Sequence, residues 1–252
     1  MEPMRDRLVA LDVTPLPWAA SAGELIAVQE ALGRSSPPLW RPEARPRSVG
    51  ACFVCFRHGR TGPGAAGDPG WAAAVWMLDG TLRDVVIVRG PAGAAYEPGL
   101  LALREGPLLE EAVRRLPAVP EVLIVNATGR DHPRRAGLAV HLGARCALPT
   151  IGVTTRPLIA AGPWPDQDAG ATSPLKIGDD VTGCWVRTRA GAHPIAVHAA
   201  WRTDVLTAAT VVLALAEGTR TPEPVRQARR AAREARARIG PSAMRTSRAT
   251  AP

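Results

Sequence analysis

Tyr96-Glu97-Pro98-Gly99-Leu100-Leu101-Ala102-Leu103-Arg104-Glu105 is followed by Val122-Leu123-Ile124-Val125-Asn126-Ala127-Thr128-Gly129-Arg130-Asp131-His132-Pro133-Arg134-Arg135-Ala136-Gly137 and then by Pro149-Thr150-Ile151-Gly152-Val153. The hydrophobic period changes along this stretch. After Pro98, the spacing of Leu100, Leu101, Leu103, Leu108, Leu109 and Val113 predicts a helix to about Arg115. Val122–Val125 is short and wholly apolar, as in a strand buried on both faces of a parallel sheet. Pro133–Leu142 reads as a helix with proline at its start, and Thr150–Val153 as a second short strand.

Upstream, Ser48–Phe56, Trp71–Leu78 and Leu82–Arg89 read as strands. Asp79-Gly80 joins the last two as a tight hairpin turn, and the Gly/Pro-rich segment from His58 to Gly70 is a longer loop. Nearer the N-terminus, Ser21-Ala22-Gly23-Glu24 is a capping box. Leu25, Val28 and Leu32 follow it at helical spacing, and Pro37 and Pro38 end the helix. Downstream, residues 160–174 are rich in Pro, Gly and Asp and read as a surface loop. Val181–Thr188 and Pro194–His198 are two further strands, and Asp204–Leu215 a helix. The last helix, Pro224–Ile239, has a narrow inner seam of Val225, Ala228, Ala232, Ala235 and Ile239. This order predicts an α/β fold with a mixed central sheet, an antiparallel three-strand meander plus parallel strands, flanked by helices. One domain over residues 1–240 is expected, with 241–252 a disordered tail.

An apolar fraction of 46% in 252 residues suits a globular core. No run of about 18 apolar residues is present, and the N-terminus lacks a charged-then-apolar signal pattern. The expectation is a cytoplasmic protein, without membrane contact, acting as a monomer. Net charge is +8, but +6 of it lies from Thr221 onward, where eight arginines face only Glu223 and Glu234. A basic tail can hold phosphate; a solvated helix is the plainer reading. Cys52 and Cys55 form a C-x-x-C, a redox or zinc hint. On a strand, residues three apart face opposite sides, so two separate buried thiols are expected instead.

The order and spacing of Y-x-P-G with R-E at a fixed offset, an apolar strand, H-P-R-R-x-G and P-T-I-G-V resemble the endonuclease V family, nucleases directed at deaminated purines, chiefly inosine. The resemblance covers roughly residues 48–238. It implies a ribonuclease H-like fold and a magnesium cofactor. By alignment, the family's catalytic positions fall on Cys52, Glu105, Asn126, Thr155 and Trp201, of which only Glu105 keeps the family's residue. Magnesium needs hard, charged oxygen ligands. A thiol is soft, Asn126 offers only a neutral carbonyl beside Glu105, and Trp201 can neither ligate nor shuttle a proton. Glu97, Asp131 and Asp204 are candidate substitute acids; Asp131 has the competing role of capping the helix at Pro133.

The resemblance places the base-binding frame on Tyr96, Pro98, Gly99, Gly129, His132, Arg134, Arg135 and Gly137. Flipping a base out of its stack is offset there by stacking and backbone hydrogen bonds. Glu97 at the wedge and Ala127 in place of a glycine depart from the pattern. The implied function is an endonuclease V-like protein impaired in cleavage. Its expected partner is DNA or RNA containing a deaminated purine, or a small purine ligand in the former inosine pocket. Three alternatives stand beside it. One is an active magnesium-dependent inosine endonuclease. Another is a pocket turned to small-molecule chemistry, with Cys52 as nucleophile and His132 as its base. The third is a purely structural or interaction protein.

Overall fold

In the computed structural model, residues 17–57 and 64–238 are described. The expectations for the far N-terminus, for Ile239 and for the tail from residue 240 lie outside them. Eight strands form one sheet in the order β3-β2-β1-β4-β5-β8-β7-β6. They are β1 (Ser48–Phe56), β2 (Pro69–Leu78), β3 (Thr81–Pro91), β4 (Val122–Val125), β5 (Thr150–Thr154), β6 (Thr172–Ile177), β7 (Asp180–Val186) and β8 (Ile195–Ala199). β1, β4 and β5 are mutually parallel, and the remaining pairings are antiparallel. The all-apolar β4 is fully buried at the centre.

Helices α1 (Ala22–Arg34), α2 (Leu101–Arg114) and α3 (Leu138–Cys146) bury one face of the sheet; α4 (Val205–Ala216) and α5 (Glu223–Ala237) bury the other. Strand alternation divides the core between them. Cys52, Leu123 and Val125 point to the α1–α3 side, and Ala51, Ile124 and Val153 to the α4–α5 side. Cys52 and Cys55 accordingly fall in separate clusters, and all four cysteines are free and buried.

Local signals explain most element ends. The Ser21 hydroxyl accepts from Glu24 N at 3.2 Å, while the Glu24 carboxylate reaches back to Ala20 N at 2.9 Å. Asp79 and Gly80 both have positive φ, 51° and 75°, as a primed hairpin turn demands. On α5, Val225, Ala228 and Ala232 are buried as the seam requires.

Three expectations are corrected. The third helix begins at Leu138, not Pro133, because Arg135 takes a left-handed φ of 55° and breaks any earlier turn. Residues 172–177 form an edge strand that begins inside the 160–174 segment read as loop; Pro174 is tolerated there because an edge leaves one side of the ladder unpaired. On α1, Val28 is exposed and Gln29 takes the inner position. No helix among the described residues is long and apolar enough to cross a membrane.

Candidate nucleic-acid site

A pocket of about 170 Å³ opens at the C-terminal ends of β4 and β5, between the Tyr96–Gly99 turn and the start of α3. Its rim is organised around one backbone atom. The Gly99 carbonyl accepts from Gln29 Nε2 (3.0 Å), His132 Nε2 (3.0 Å) and Arg134 Nη2 (3.1 Å). Gln29 is 1% exposed, and its Oε1 accepts from Arg134 Nε at 2.7 Å. His132 Nδ1 accepts from Arg134 N at 3.1 Å, so Nε2 carries the proton given to Gly99. Burial keeps this imidazole below the usual histidine range, hence neutral. Gly99 itself has φ 81°, a conformation that favours glycine.

A second tie holds the turn from outside. Arg104, 3% exposed, donates to the carbonyls of Ala65 and Ala94 and to the Asp68 carboxylate, with Phe56 stacked 4.2 Å away. Tyr96 is left 42% exposed at the pocket mouth, next to exposed Glu97 and Pro98. Gly137 forms the opposite wall; a Cβ there would sit 2.4 Å from Thr128 O. The structure thus gathers Tyr96, Pro98, Gly99, His132, Arg134 and Gly137. Gly129 backs the Gly137 wall, its carbonyl accepting from Gly137 N at 2.9 Å while its α-carbon packs against the Ala199 carbonyl of β8; Arg135 points elsewhere and pairs with Asp180 at 2.8 Å.

The positions beside the pocket are arranged differently. Cys52 is fully buried on β1, level with Val125. Its thiol is pushed far up by burial, and by the nearby Cys146 and Glu105. Glu105, on α2, is half-buried; desolvation raises its carboxyl to about 8, opposed by Arg104. Asn126 follows Val125 and turns to the opposite face. There its Oδ1 accepts from Arg229 Nε at 3.0 Å and from Arg229 Nη2, and Arg229 lies 5.8 Å from the Phe53 ring.

Trp201 is elsewhere. Its backbone pairs with Thr150, which stands level with Leu123. That is roughly 10 Å below Asn126 along the strands, at about 3.3 Å per residue. Thr155 is exposed and borders a different hollow.

These residues do not fit a magnesium ion. One carboxyl, Glu105, remains beside a buried thiol, and the amide oxygen that could assist is already bound to a guanidinium. Among the described residues, no three His, Cys, Asp or Glu side chains are placed to hold a metal.

Of the three substitute acids, Glu97 lies exposed at the pocket mouth, and the other two are engaged otherwise. Asp131 is fully buried, yet it neither caps α3 nor enters the site. Its carboxylate accepts the backbone N–H groups of Leu158, Ile159 and Ala160 at 2.6–3.0 Å. Asp204 caps α4 through Thr207 N and pairs with Arg41. Cys52 lies in an apolar cluster that raises its thiol, while His132 donates to the Gly99 carbonyl.

Sequence reasoning missed Gln29, Thr154 and His198. Gln29 interrupts the apolar inner stripe of α1 between Leu25 and Leu32, the one signal that could have flagged it. Thr154 lines the pocket, and its hydroxyl meets His198 Nε2 at 2.8 Å. His198 is fully buried, brought down to about 4 by desolvation, with Asp131 3.6 Å from Nδ1 opposing the shift.

Known proteins share this architecture and sequence. The family model "Endonuclease V" matches residues 60–230. Endonuclease V of Streptomyces avermitilis is 37% identical over 232 residues, 88% of this chain and 97% of that protein. A crystal structure of endonuclease V from the same organism superposes with a TM-score of 0.78 at 34% identity, covering 89% of this chain and 96% of that one. The Ciona intestinalis endonuclease V, crystallised with a 24mer DNA containing an inosine followed by a ribo-adenosine, shares the fold with a TM-score of 0.71 at 20% identity. That match covers 86% of this chain and 98% of the other.

Proposed function

The chain belongs to the endonuclease V family, and from that premise we propose that it binds nucleic acid through the family's base pocket while cleaving phosphodiesters poorly or not at all. The ligand is a strand carrying a deaminated purine such as inosine. The observation that carries this reading is the contrast between the pocket and its neighbour. Three side chains from two segments converge on the Gly99 carbonyl and hold the Tyr96 turn open. The adjoining position retains one carboxyl, Glu105, with a raised pKa.

A volume of about 170 Å³ lies below the roughly 300 Å³ and upward typical of small-molecule sites, and suits one flat base. The base would insert beside Tyr96, with Thr128 on the wall at its edge. Arg226, Arg229, Arg230 and Arg233 on α5 border an open groove of about 470 Å³ and supply a sequence-blind attraction for phosphate. Binding of this kind needs no metal. The family resemblance to Ciona endonuclease V, which was crystallised on inosine-containing DNA, supports the choice of ligand.

The test pairs a gel-shift titration with a nicking assay, using inosine- and adenine-containing strands of DNA and RNA, with EDTA, magnesium or manganese. The expected result is an inosine preference that EDTA leaves intact, and no nicking. Metal-dependent nicking that disappears in Glu105→Ala would establish a working nuclease instead. Equal binding of inosine and adenine strands would remove the base pocket from the reading.

A further inference from the structure

A second hollow, of about 650 Å³, lies on the far side of segment 154–158. It is lined in part by Thr155, Arg156, Trp164, Trp185, His193 and Arg220. The base pocket is bordered by Thr154 and Leu158, so one short segment is the common wall of both. The loop that carries Trp164 has the composition of a loose surface segment, but it is anchored. Arg187, only 2% exposed, donates Nη2 to Pro165 O (2.9 Å), Nε to Asp166 O (2.5 Å) and Nη1 to Ala192 O. Trp185 Nε1 donates to Gly162 O at 3.2 Å. Gly170 N donates to Arg187 O and Arg187 N to Ala171 O.

One buried guanidinium therefore locks two loops together. Its effect is to hold Trp164 55% exposed, edge-on to His193 at 5.1 Å and to Trp185 at 6.3 Å. A large apolar ring fixed in water by a buried network gains from being covered by another flat ring.

The charge around it points to what covers it. No carboxylate lines the hollow. Arg220 gives Nε and Nη2 to the carbonyls of His193 and Pro194, which orients the guanidinium and leaves donors to spare. Arg156 is exposed beside it. Both free-facing side chains that border the ring are thus cationic. Aromatic faces interleaved with arginines along a groove are the features that hold single-stranded nucleic acid without reading its sequence.

We propose that this hollow is a stacking subsite for a second nucleobase of a bound single strand, with Trp164 as the platform and Arg156 and Arg220 as contacts to the adjoining phosphate. The inference rests on the reading of this chain as a nucleic-acid binder, but not on any preference for inosine.

Single-stranded oligonucleotides with inosine at a fixed position, and one abasic residue moved along the strand, test it by equilibrium binding. The wild-type protein is expected to lose roughly tenfold in affinity when the abasic residue falls at one particular offset, in line with the worth of a base–aromatic stack. Trp164→Ala should lose about the same on the intact strand and become indifferent to the abasic residue at that offset. Trp164→Phe should recover most of the loss, which separates stacking from a folding defect. Wild-type affinity in Trp164→Ala would overturn the proposal, and so would a loss that is uniform across all abasic positions. Replacing inosine by adenine reads the base pocket separately. If that exchange changes nothing while the Trp164 coupling persists, the base-pocket reading fails and this subsite stands. If no single strand binds the wild-type protein, both fall.

Discussion

At the pocket rim, Gln29, His132 and Arg134 all donate to the Gly99 carbonyl. Beside it, Glu105 stands near a buried thiol, and the Asn126 side-chain oxygen is bound to Arg229. The rim is built from neutral or cationic donors meeting a backbone acceptor, and nothing in it needs an ion. The family's hydrolytic centre needs several anionic oxygens held together against their mutual repulsion, which only a bound cation relieves. Recognition and cleavage therefore rest on different physics within one small volume, and the second can be lost while the first stays whole.

The largest effect expected from this contrast is in nicking. Measured beside a relative of the family that nicks inosine-containing strands, this protein should cleave them at least ~10³-fold more slowly, because residues that act as a unit fail as a unit. Asn126→Asp alone should not restore activity, since Arg229 would pair with the new carboxylate. Adding Trp201→His should contribute nothing, because that residue lies outside the cluster. Nicking at the relative's rate would break the comparison.

Next in size is an attack on the rim. Gly137→Ala places a Cβ 2.4 Å from Thr128 O and 2.7 Å from its hydroxyl. The clash should cost about 1–3 kcal/mol, visible as a lower Tm, and should abolish inosine discrimination along with it.

Glu105 gives a pH test. Its carboxyl is raised from 4.5 to about 8. The fold prefers the neutral form, so this group's contribution is greatest below pH 4.5, falls as pH rises toward 8, and is level above. Glu105→Gln should be flat across that window. At pH 8 it should be more stable than wild type by roughly 2 kcal/mol, well under the full 1.4 kcal/mol per unit, because part-exposure lets water solvate the charge. Carboxyl NMR titration should find the same midpoint with and without magnesium; a midpoint drawn down by several units on adding the ion would show a working metal site.

The smallest effect is at Gln29. Gln29→Ala leaves Gly99 two donors and Arg134 Nε without its acceptor, a loss of about 1 kcal/mol. Inosine preference should weaken while the salt dependence of binding stays the same.

Much of this arrangement was legible in the chain. Tight turns and caps act over a few residues, so Asp79-Gly80 and Ser21–Glu24 could be placed without a structure. β4 announced itself by four apolar residues in a row. What escaped depended on partners far away in sequence. The direction of the Asn126 side chain follows from its one-residue offset from Val125 and from an arginine 103 residues on. Asp131 sits where a helix cap belongs, yet binds a turn 27–29 residues later. Thr172–Ile177, with its proline, gains strand character only from β7 alongside it. Family alignment marked Trp201 as a site position, but the register of β5 and β8 carries it to the wrong end of the strands.

The depth at which Cys52 lies bears on the protein's history as a lineage. A thiol in that apolar cluster is at ease. A lone aspartate in its place, next to Glu105 and without a cation, would be held neutral by the same desolvation that raises Glu105 and would bury a polar group at a cost of about 1–3 kcal/mol. On the reading proposed above, a return to the acidic centre from the present residues is penalised at its first step, before any activity could favour it. Such a ratchet would leave selection to work on what the molecule binds.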